Sequence, residues 1–304
     1  MMKARKTGRL LKATSLLTAT AFCLSLPARA HAAAELPQAA TIMQGLDTVW
    51  VLLGAFMVFF MQAGFGMVEA GFIRAKNTCN ILTKNFLDFC MASLGFFLLG
   101  YALMFGNGNA FMGTGGFMLM GVPDVNGSVP TYAFWLFQAA FCGAAATIVA
   151  GGMAERMKFP AYLIYSFIIS AIVYPIVGHW IWGGGWLAAN MNFLDFAGST
   201  VVHTVGGVAA LVGTIMLGPR AGKYGVDGKP KAIAGHSIPL ASLGVFILWF
   251  GWFGFNAGST LSVGDGQLIG RVALNTNIAA ALGGIVAMIT VWKRFGKPDL
   301  SMAM

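Results

Sequence analysis

Charged side chains are scarce in this sequence, and their scarcity decides the class of protein. Asp, Glu, Lys and Arg make up only 10% of the 304 residues, whereas soluble domains carry about 25%. Apolar residues make up 58%, and the mean hydropathy is +0.75. The composition therefore excludes a soluble globular domain and predicts a membrane protein with several spans.

Other features that are absent exclude further classes. No HExxH or GxSxG motif is present, and no apolar run holds paired carboxylates, so we expect no enzyme activity, no cofactor and no metal site. The last apolar run has a lysine only at its end, Lys293, which argues against a seven-helix retinal protein. The net charge of +9 is dispersed over a leader and short loops, so we expect no nucleic-acid partner.

Cysteine is also rare, and the four residues match no zinc or redox spacing. We expect them to act as small buried hydrophobic side chains. They are Cys23, Cys79, Cys90 and Cys142.

The N-terminus has the pattern of a secretory signal peptide. Basic residues up to Lys12 precede an apolar stretch from Ala13 to Leu26, and a small-x-small site ends at Ala30. Cleavage after Ala30 or Ala32 assigns residues 1–32 to a signal peptide and 33–304 to a transmembrane domain. An uncleaved anchor is the alternative, but the apolar stretch is short for a span of about 20 residues.

Seven apolar runs then follow, each long enough for a transmembrane helix. Barrel strands would be about 10 residues long and would alternate in polarity, so the fold class is all-α. The predicted spans are 47–70, 80–105, 131–154, 160–178, 199–217, 237–257 and 273–292.

Loop charge predicts the orientation of these spans. The connections after the first, third, fifth and seventh spans are basic, whereas the alternate loops contain only Arg271. The positive-inside rule places the basic loops in the cytoplasm and the mature N-terminus outside, as a cleaved signal also predicts. We therefore expect a multi-pass protein of the cell inner (plasma) membrane, with segments 106–130 and 179–198 on the outer side.

The stretch from His179 to His203, HWIWGGGWLAANMNFLDFAGSTVVH, has unusual chemistry for such an apolar chain. Trp182 precedes three glycines, and we predict that it shapes an outer vestibule where an aromatic face attracts a cation. An interfacial aromatic belt is the alternative. Asp195 lies just before the fifth span, where it either caps that helix or attracts a cation. His203 lies deeper, among apolar neighbours, where an imidazole can line a pore or carry a proton.

Two aromatic motifs lie in other spans. Phe137 and Phe141 in FQAAF are four residues apart and so share one helix face. In GWFGFNAGS, the spacing of Gly254 and Gly258 favours a close helix contact. Taken alone, each of these aromatic side chains is more often part of the helix packing than part of a gate that closes a pore.

Three polar residues lie at the ends of predicted spans. Glu69 is an acid at membrane level, and we expect it to pair with a nearby polar group or a loop base. Asn275 and Asn277 open the seventh span, where we expect caps or interhelical hydrogen bonds.

Taken together, these motifs resemble the Amt/Mep/Rh ammonium transporters, from about residue 45 to the C-terminus. The resemblance is closest to bacterial Amt proteins with a cleaved signal. The motifs that carry it are EAGFIRAKNT (69–78), FQAAF (137–141), AERMKF (154–159), HWIWGGG (179–185), LDFAGSTVVH (194–203) and WFGFNAGS (252–259).

The resemblance implies a homotrimer of eleven-helix protomers, each with its own pore, and a PII-type regulatory protein that binds cytoplasmic loops. It also implies roles along the pore. The residues that would recruit ammonium are Phe137, Trp182 and Ser259. Phe141 and Phe255 would form a stacked gate, His203 would be the first of two pore histidines, and Asp195 would be an essential acid.

One departure from the family pattern affects the expected activity. The family's second pore histidine, on a late helix, has no counterpart here, because His179 and His236 occupy predicted loop positions. The chain ends after the seventh span, so we expect a truncated product, a fragment or a partial sequence. An ammonium sensor and a non-conducting fragment are the alternatives to a transporter.

Overall fold

The protein is helical throughout its membrane region. The structure, a computed structural model, describes residues 38–125 and 128–304, so the predicted signal peptide, 1–32, lies outside the described residues. Seven of the described helices are long and apolar enough to cross a membrane. They are α1 (Ala39–Phe72), α2 (Ala75–Phe105), α3 (Thr131–Met153), α4 (Phe159–Met191), α5 (Ser199–Leu217), α6 (Ile238–Thr260) and α7 (Gly266–Phe295).

The seven predicted spans and the all-α class are confirmed, but several helices are longer than predicted. Helix α7 begins at Gly266, where the Asp265 side chain accepts the Leu268 N–H at 2.9 Å. Asn275 and Asn277 therefore lie inside α7, and the prediction that they are caps was wrong. A short helix, α8 (Leu300–Ala303), follows α7.

The connections between the helices collect at two ends of the bundle. At one end, which we call the vestibule end, parts of segments 106–125 and 181–196 and residues 259–261 line one cavity. At the other, which we call the basic end, the connections after α1, α3 and α5 meet. Consecutive connections thus lie at opposite ends of the bundle, as they must when successive spans are antiparallel.

Glu155 joins the three connections at the basic end. Its carboxylate accepts hydrogen bonds from Arg74 Nε (3.0 Å), Asn77 Nδ2 (2.6 Å) and Arg220 Nη1 (3.2 Å). Burial alone raises the pKa of Glu155, but these hydrogen bonds outweigh it and lower that pKa to about 2. One ionised carboxylate therefore links the first, third and fifth connections.

Helix α3 is the centre of the bundle. Its residues are buried on nearly every side, and it packs against α1, α2 and α5. Alanine and glycine dominate the sequence from Ala139 to Gly152, which lets neighbouring backbones approach closely in a lipid environment.

The predicted close approach of Gly254 and Gly258 to another helix is confirmed. Both face Gly54 of α1: a Cβ on Gly54 would lie 3.2 Å from the Gly254 carbonyl oxygen and 3.3 Å from the Gly258 Cα. Helix α6 packs along α1 over much of its length. This contact sets the position of residues 253–259 along the bundle, and so their height relative to α3.

Two expectations about individual residues were wrong. His179 is not in a loop: α4 continues through Ile181, and the buried imidazole contacts the Met104 and Asn109 carbonyl oxygens, each at 2.8 Å. It therefore anchors the segment after α2. Of the cysteines, Cys142 is buried as expected, whereas Cys79 is exposed; Cys23 lies outside the described residues.

Candidate conduction path

The vestibule end contains a cavity of about 1120 Å³, and eight of its 25 lining residues are aromatic. Helix α3 contributes Phe137 and Phe141, one turn apart, with ring centroids 4.5 Å from each other. Trp182 and Ser259 also line this cavity. The structure thus brings together the three residues predicted to recruit ammonium, and we call this cavity the vestibule.

Trp182 lies where the regular part of α4 ends. Ile181 is the last residue of the helical turn, and the glycine triplet follows Trp182. The indole Nε1–H donates to the Asp195 carbonyl oxygen at 2.6 Å, which fixes the ring in the cavity wall. Trp180 and Trp186 do not line the vestibule: they pack against each other, and the Trp180 indole donates to the Phe111 carbonyl. Of the three tryptophans in the stretch from His179 to His203, only Trp182 therefore lines the vestibule.

Phe141 and Phe255 close the floor of the vestibule. Their rings are stacked, with centroids 4.0 Å apart and planes inclined by 25°. The two side chains are 0% and 1% exposed, respectively. A stack at this distance leaves no room for water or a cation between the rings, so the pair separates the vestibule from the space beyond it.

His203 lies beyond the stacked pair. Its ring centroid is 5.4 Å from that of Phe255, with planes inclined by 29°. Both residues line a second cavity of about 700 Å³, which also reaches Asn256 and Thr276. The other side of the imidazole is exposed to this open cavity, and the ring has no hydrogen-bond partner among the described residues. His203 can therefore accept a proton from a small solute in that cavity or donate one to it.

Asp195 holds the start of α5. Its carboxylate accepts the backbone N–H groups of Gly198, Ser199, Thr200 and Val201 at 2.7–3.0 Å. These groups have no intrahelical acceptor at a helix N-terminus, and a negative charge there is stabilised further by the helix dipole. The geometry is that of the capping alternative, and it orients the turn that carries His203.

The comparisons with known proteins agree with this geometry. A model of the ammonium transporter family matches residues 49–304. The chain belongs to the ammonium transporter family.

Individual relatives support the same assignment. Ammonium transporter Amt2 of Archaeoglobus fulgidus is 51% identical over 267 residues, which cover 84% of this chain and 56% of the relative. A solved structure described as a sensor Amt protein is 42% identical, with a TM-score of 0.81, over 86% of this chain and 65% of its own. Mep2 of Candida albicans is 34% identical, with a TM-score of 0.76, over 85% and 58%. The chain therefore spans 56–65% of the length of these relatives.

In this ammonium transporter family member, sequence reasoning missed two features of the path. Gln138 is 6% exposed and lines the vestibule, and its Oε1 has no partner in the described part of the chain. It lies inside the FQAAF motif, so a polar residue between two phenylalanines was the available signal. The second feature is that His203 and Phe255 both lie in π-helical turns, Ser199–Thr204 and Phe253–Ala257. Such turns are frequent at functional sites.

No metal centre is indicated: across residues 38–125 and 128–304, no three His, Cys, Asp or Glu side chains converge as ligands.

Proposed function

We propose that this chain forms an ammonium transport path, with recruitment in the vestibule and passage of ammonia along His203. The observation that carries the proposal is the stacked pair of Phe141 and Phe255, which separates two cavities of different character. The vestibule offers the face of Trp182 and the oxygen of Ser259, and the cavity beyond offers an imidazole.

The difficulty for such a path is to separate ammonium from potassium, since the two ions have similar sizes and equal charge. An aromatic face binds either cation, with about 0.5–2 kcal/mol. Ammonium also donates hydrogen bonds, and the Ser259 hydroxyl, which donates to the Phe255 carbonyl at 2.8 Å, keeps its lone pairs free to accept one. The vestibule therefore favours a cation that carries N–H groups.

Deprotonation then makes passage possible. An intact cation in an apolar span costs several kcal/mol. Once one ring of the stacked pair has turned, ammonium reaches the imidazole of His203; one N–H bond breaks, nitrogen keeps the electron pair as ammonia, and the proton bonds to the imidazole nitrogen. Neutral ammonia then crosses the apolar span without the charge penalty, whereas potassium has no proton to lose. The charge gained by His203 must then leave through the cavity beyond.

In this proposal Asp195 is a positioning residue that holds other groups of the path in place. Its carboxylate fixes the α5 turn that carries His203, and its carbonyl fixes the Trp182 indole. The family's homotrimer, plasma-membrane location and PII-type partner are part of the same proposal. The basic loops would then face the cytoplasm, where residues 218–236 offer Lys223, Lys229 and Lys231 to a regulator.

Uptake of methylammonium into proteoliposomes that contain the chain tests the proposal. We expect Trp182→Ala and His203→Ala to reduce uptake at least tenfold, because each removes one stage of the path. Trp292→Ala is the matched control, since that indole is 56% exposed on α7. Unchanged uptake in both path variants would contradict the mechanism, and no uptake by the unaltered chain would favour the non-conducting fragment.

A second candidate is an ammonium sensor, favoured by the likeness to the sensor Amt protein at a TM-score of 0.81. Ammonium-dependent capture of a cytoplasmic partner, without uptake, would support it over transport.

A further inference from the structure

A group of buried polar side chains lies between α1, α2, α3 and α4, near the basic end. None of them lines the vestibule or the cavity at His203, so the transport path does not account for them. We call this group the polar cluster. Its members are Gln62, Glu69, Asn85, Asp88, Thr147 and Tyr162.

The polar cluster is enclosed but poorly satisfied. Asp88 and Tyr162 are 0% exposed, and Asn85 is 4% exposed. Asp88 Oδ1, Glu69 Oε2, both amide atoms of Asn85 and the Tyr162 hydroxyl have no hydrogen-bond partner among the described residues. The expected loop-base partner of Glu69 is not found, since no lysine or arginine nitrogen of the described residues lies within 4.0 Å of its carboxylate, whereas the polar Asn85 side chain lies beside it. A buried polar group without a partner costs about 1–3 kcal/mol, so this many point to something bound.

The chemistry of these atoms fits water. The unpartnered acceptors are oxygens of Asp88, Glu69 and Asn85, and the unpartnered donors are the Gln62 and Asn85 amides and the Tyr162 hydroxyl. A bare cation would satisfy the acceptors and be repelled by the donors. Water both donates and accepts, and buried water typically makes about three such bonds.

The Thr147 hydroxyl faces three oxygens, and either a proton on Asp88 or a reversed Gln62 amide, whose Nε2 has no partner among the described residues, would relieve this excess of acceptors. The hydroxyl oxygen lies 2.7 Å from Asp88 Oδ2, 2.9 Å from Gln62 Oε1 and 2.8 Å from the Gly143 carbonyl. A hydroxyl has one hydrogen, so it can donate to only one of these three acceptors. A proton on Asp88 would allow that carboxyl to donate to Thr147 and Thr147 to donate onward.

The charge balance indicates one proton. The polar cluster contains two carboxyls, and the one ammonium group near them is Lys84, which is 2% exposed. Its Nζ donates to the Met157 carbonyl at 2.8 Å and lies 5.4 Å from the centre of the Tyr162 ring. No carboxylate oxygen in the described chain lies within 4.0 Å of it. Two ionised carboxylates would leave one negative charge buried at membrane level, which is expensive.

We propose that the polar cluster is a hydrated proton-binding site, in which water bridges Asp88 and Glu69 and the two carboxyls share one exchangeable proton. The proton comes from solvent at the basic end, and no bond other than the O–H bond forms. The other titratable groups that face the site are Lys84, Tyr162 and Tyr165. The inference does not depend on ammonium transport, because it uses no residue of the vestibule or the gate.

Infrared spectroscopy of the chain in lipid nanodiscs tests the proposal without an activity assay. At neutral pH we expect a carbonyl band of a protonated carboxylic acid, which shifts to lower wavenumber in heavy water because bound water exchanges the proton. Either Glu69→Gln or Asp88→Asn should abolish the band, since each variant leaves one carboxylate to balance Lys84. Asp265→Asn at the exposed start of α7 is the matched control and should leave it unchanged, as should Trp182→Ala in the vestibule.

Four results would overturn the proposal. The unaltered chain could show no such band, or a band that does not respond to heavy water. The band could survive in both variants, or disappear in only one, which would confine the proton to a single carboxyl. The measurement on the unaltered chain decides the first point even if a variant fails to fold.

Discussion

The apolar 18-residue windows of helices α3 and α7 have nearly the same mean hydropathy, 1.7 and 1.8, yet the surroundings of the two helices are opposite. Most of α3 is buried, and it carries Phe137 and Phe141. In α7 only Thr276 and Val291 are buried, and its glycines Gly283 and Gly284 have no neighbours within contact distance. Hydropathy therefore identifies a span, but whether small residues receive a partner helix depends on the tertiary arrangement.

The largest contrast is expected between the caps of α5 and α7. Asp195→Ala leaves four backbone N–H groups at the start of α5 without an acceptor, and we expect a loss of about 2–4 kcal/mol. Asp265→Ala removes one N–H acceptor at the exposed start of α7, for which we expect about 0.5–1 kcal/mol. Thermal unfolding in detergent measures both, and equal losses would contradict the contrast.

Packing gives the next contrast. A Cβ on Gly143 of α3 would lie 2.7 Å from the Phe89 ring, whereas a Cβ on Gly284 of α7 meets nothing within 4 Å. We therefore expect Gly143→Leu to destabilise the protein by about 1–3 kcal/mol and Gly284→Leu to stay within about 0.5 kcal/mol. Size-exclusion chromatography after heating distinguishes the two variants, because the less stable one loses its monodisperse peak first. Similar profiles would show that the neighbours of α3 can move to accommodate the larger side chain.

A pH-dependent contrast is expected between Glu155 and Asp299. The folded-state pKa of Glu155, about 2, lies below its ordinary value of 4.5. Its contribution to stability is therefore present above pH 4.5 and is lost as the pH falls toward 2. Glu155→Gln should lower the free energy of unfolding at pH 7 by on the order of 1–2 kcal/mol, which a lower melting temperature reports. The difference in melting temperature between the variant and the unaltered chain should shrink below pH 4.5. Asp299→Asn, at the half-buried start of α8, is the comparison: the Ser301 hydrogen bonds lower that pKa too, but Asp299 forms no salt bridge within 4.0 Å among the described residues, so we expect a smaller difference. A Glu155 difference that persists at pH 2 would contradict the assignment.

The smallest effect is expected on the exposed face of α7. Leu282 is 54% exposed, so Leu282→Ala removes few contacts, and we expect a change within about 0.5 kcal/mol in the melting assay. A larger loss would show that another surface covers α7.

The sequence predicts the spans because mean hydropathy is a local property, and it predicts their approximate order and alternation for the same reason. It places helix ends poorly where distant atoms decide them. Helix α4 continues through His179 because the imidazole contacts carbonyls of the α2 connection, and no local pattern contains that information.

The candidate site shows the same division. The spacing in FQAAF is enough to place Phe137 and Phe141 on one face, but the pairing of Phe141 with Phe255 came only from the family resemblance. Phe255 lies on another helix, in a π-helical turn, and such turns form under tertiary packing. The polar cluster also joins four helices, so its two acids, Glu69 and Asp88, appear in the sequence only as isolated residues of separate spans.

Asp195 uses two different parts of itself in two directions. Its main-chain carbonyl holds the Trp182 indole, and its carboxylate holds the first turn of α5. A genetic screen should therefore find that substitutions of Asp195 disturb the vestibule at Trp182 and the turn that carries His203 together. Second-site suppressors should restore both of these regions or neither.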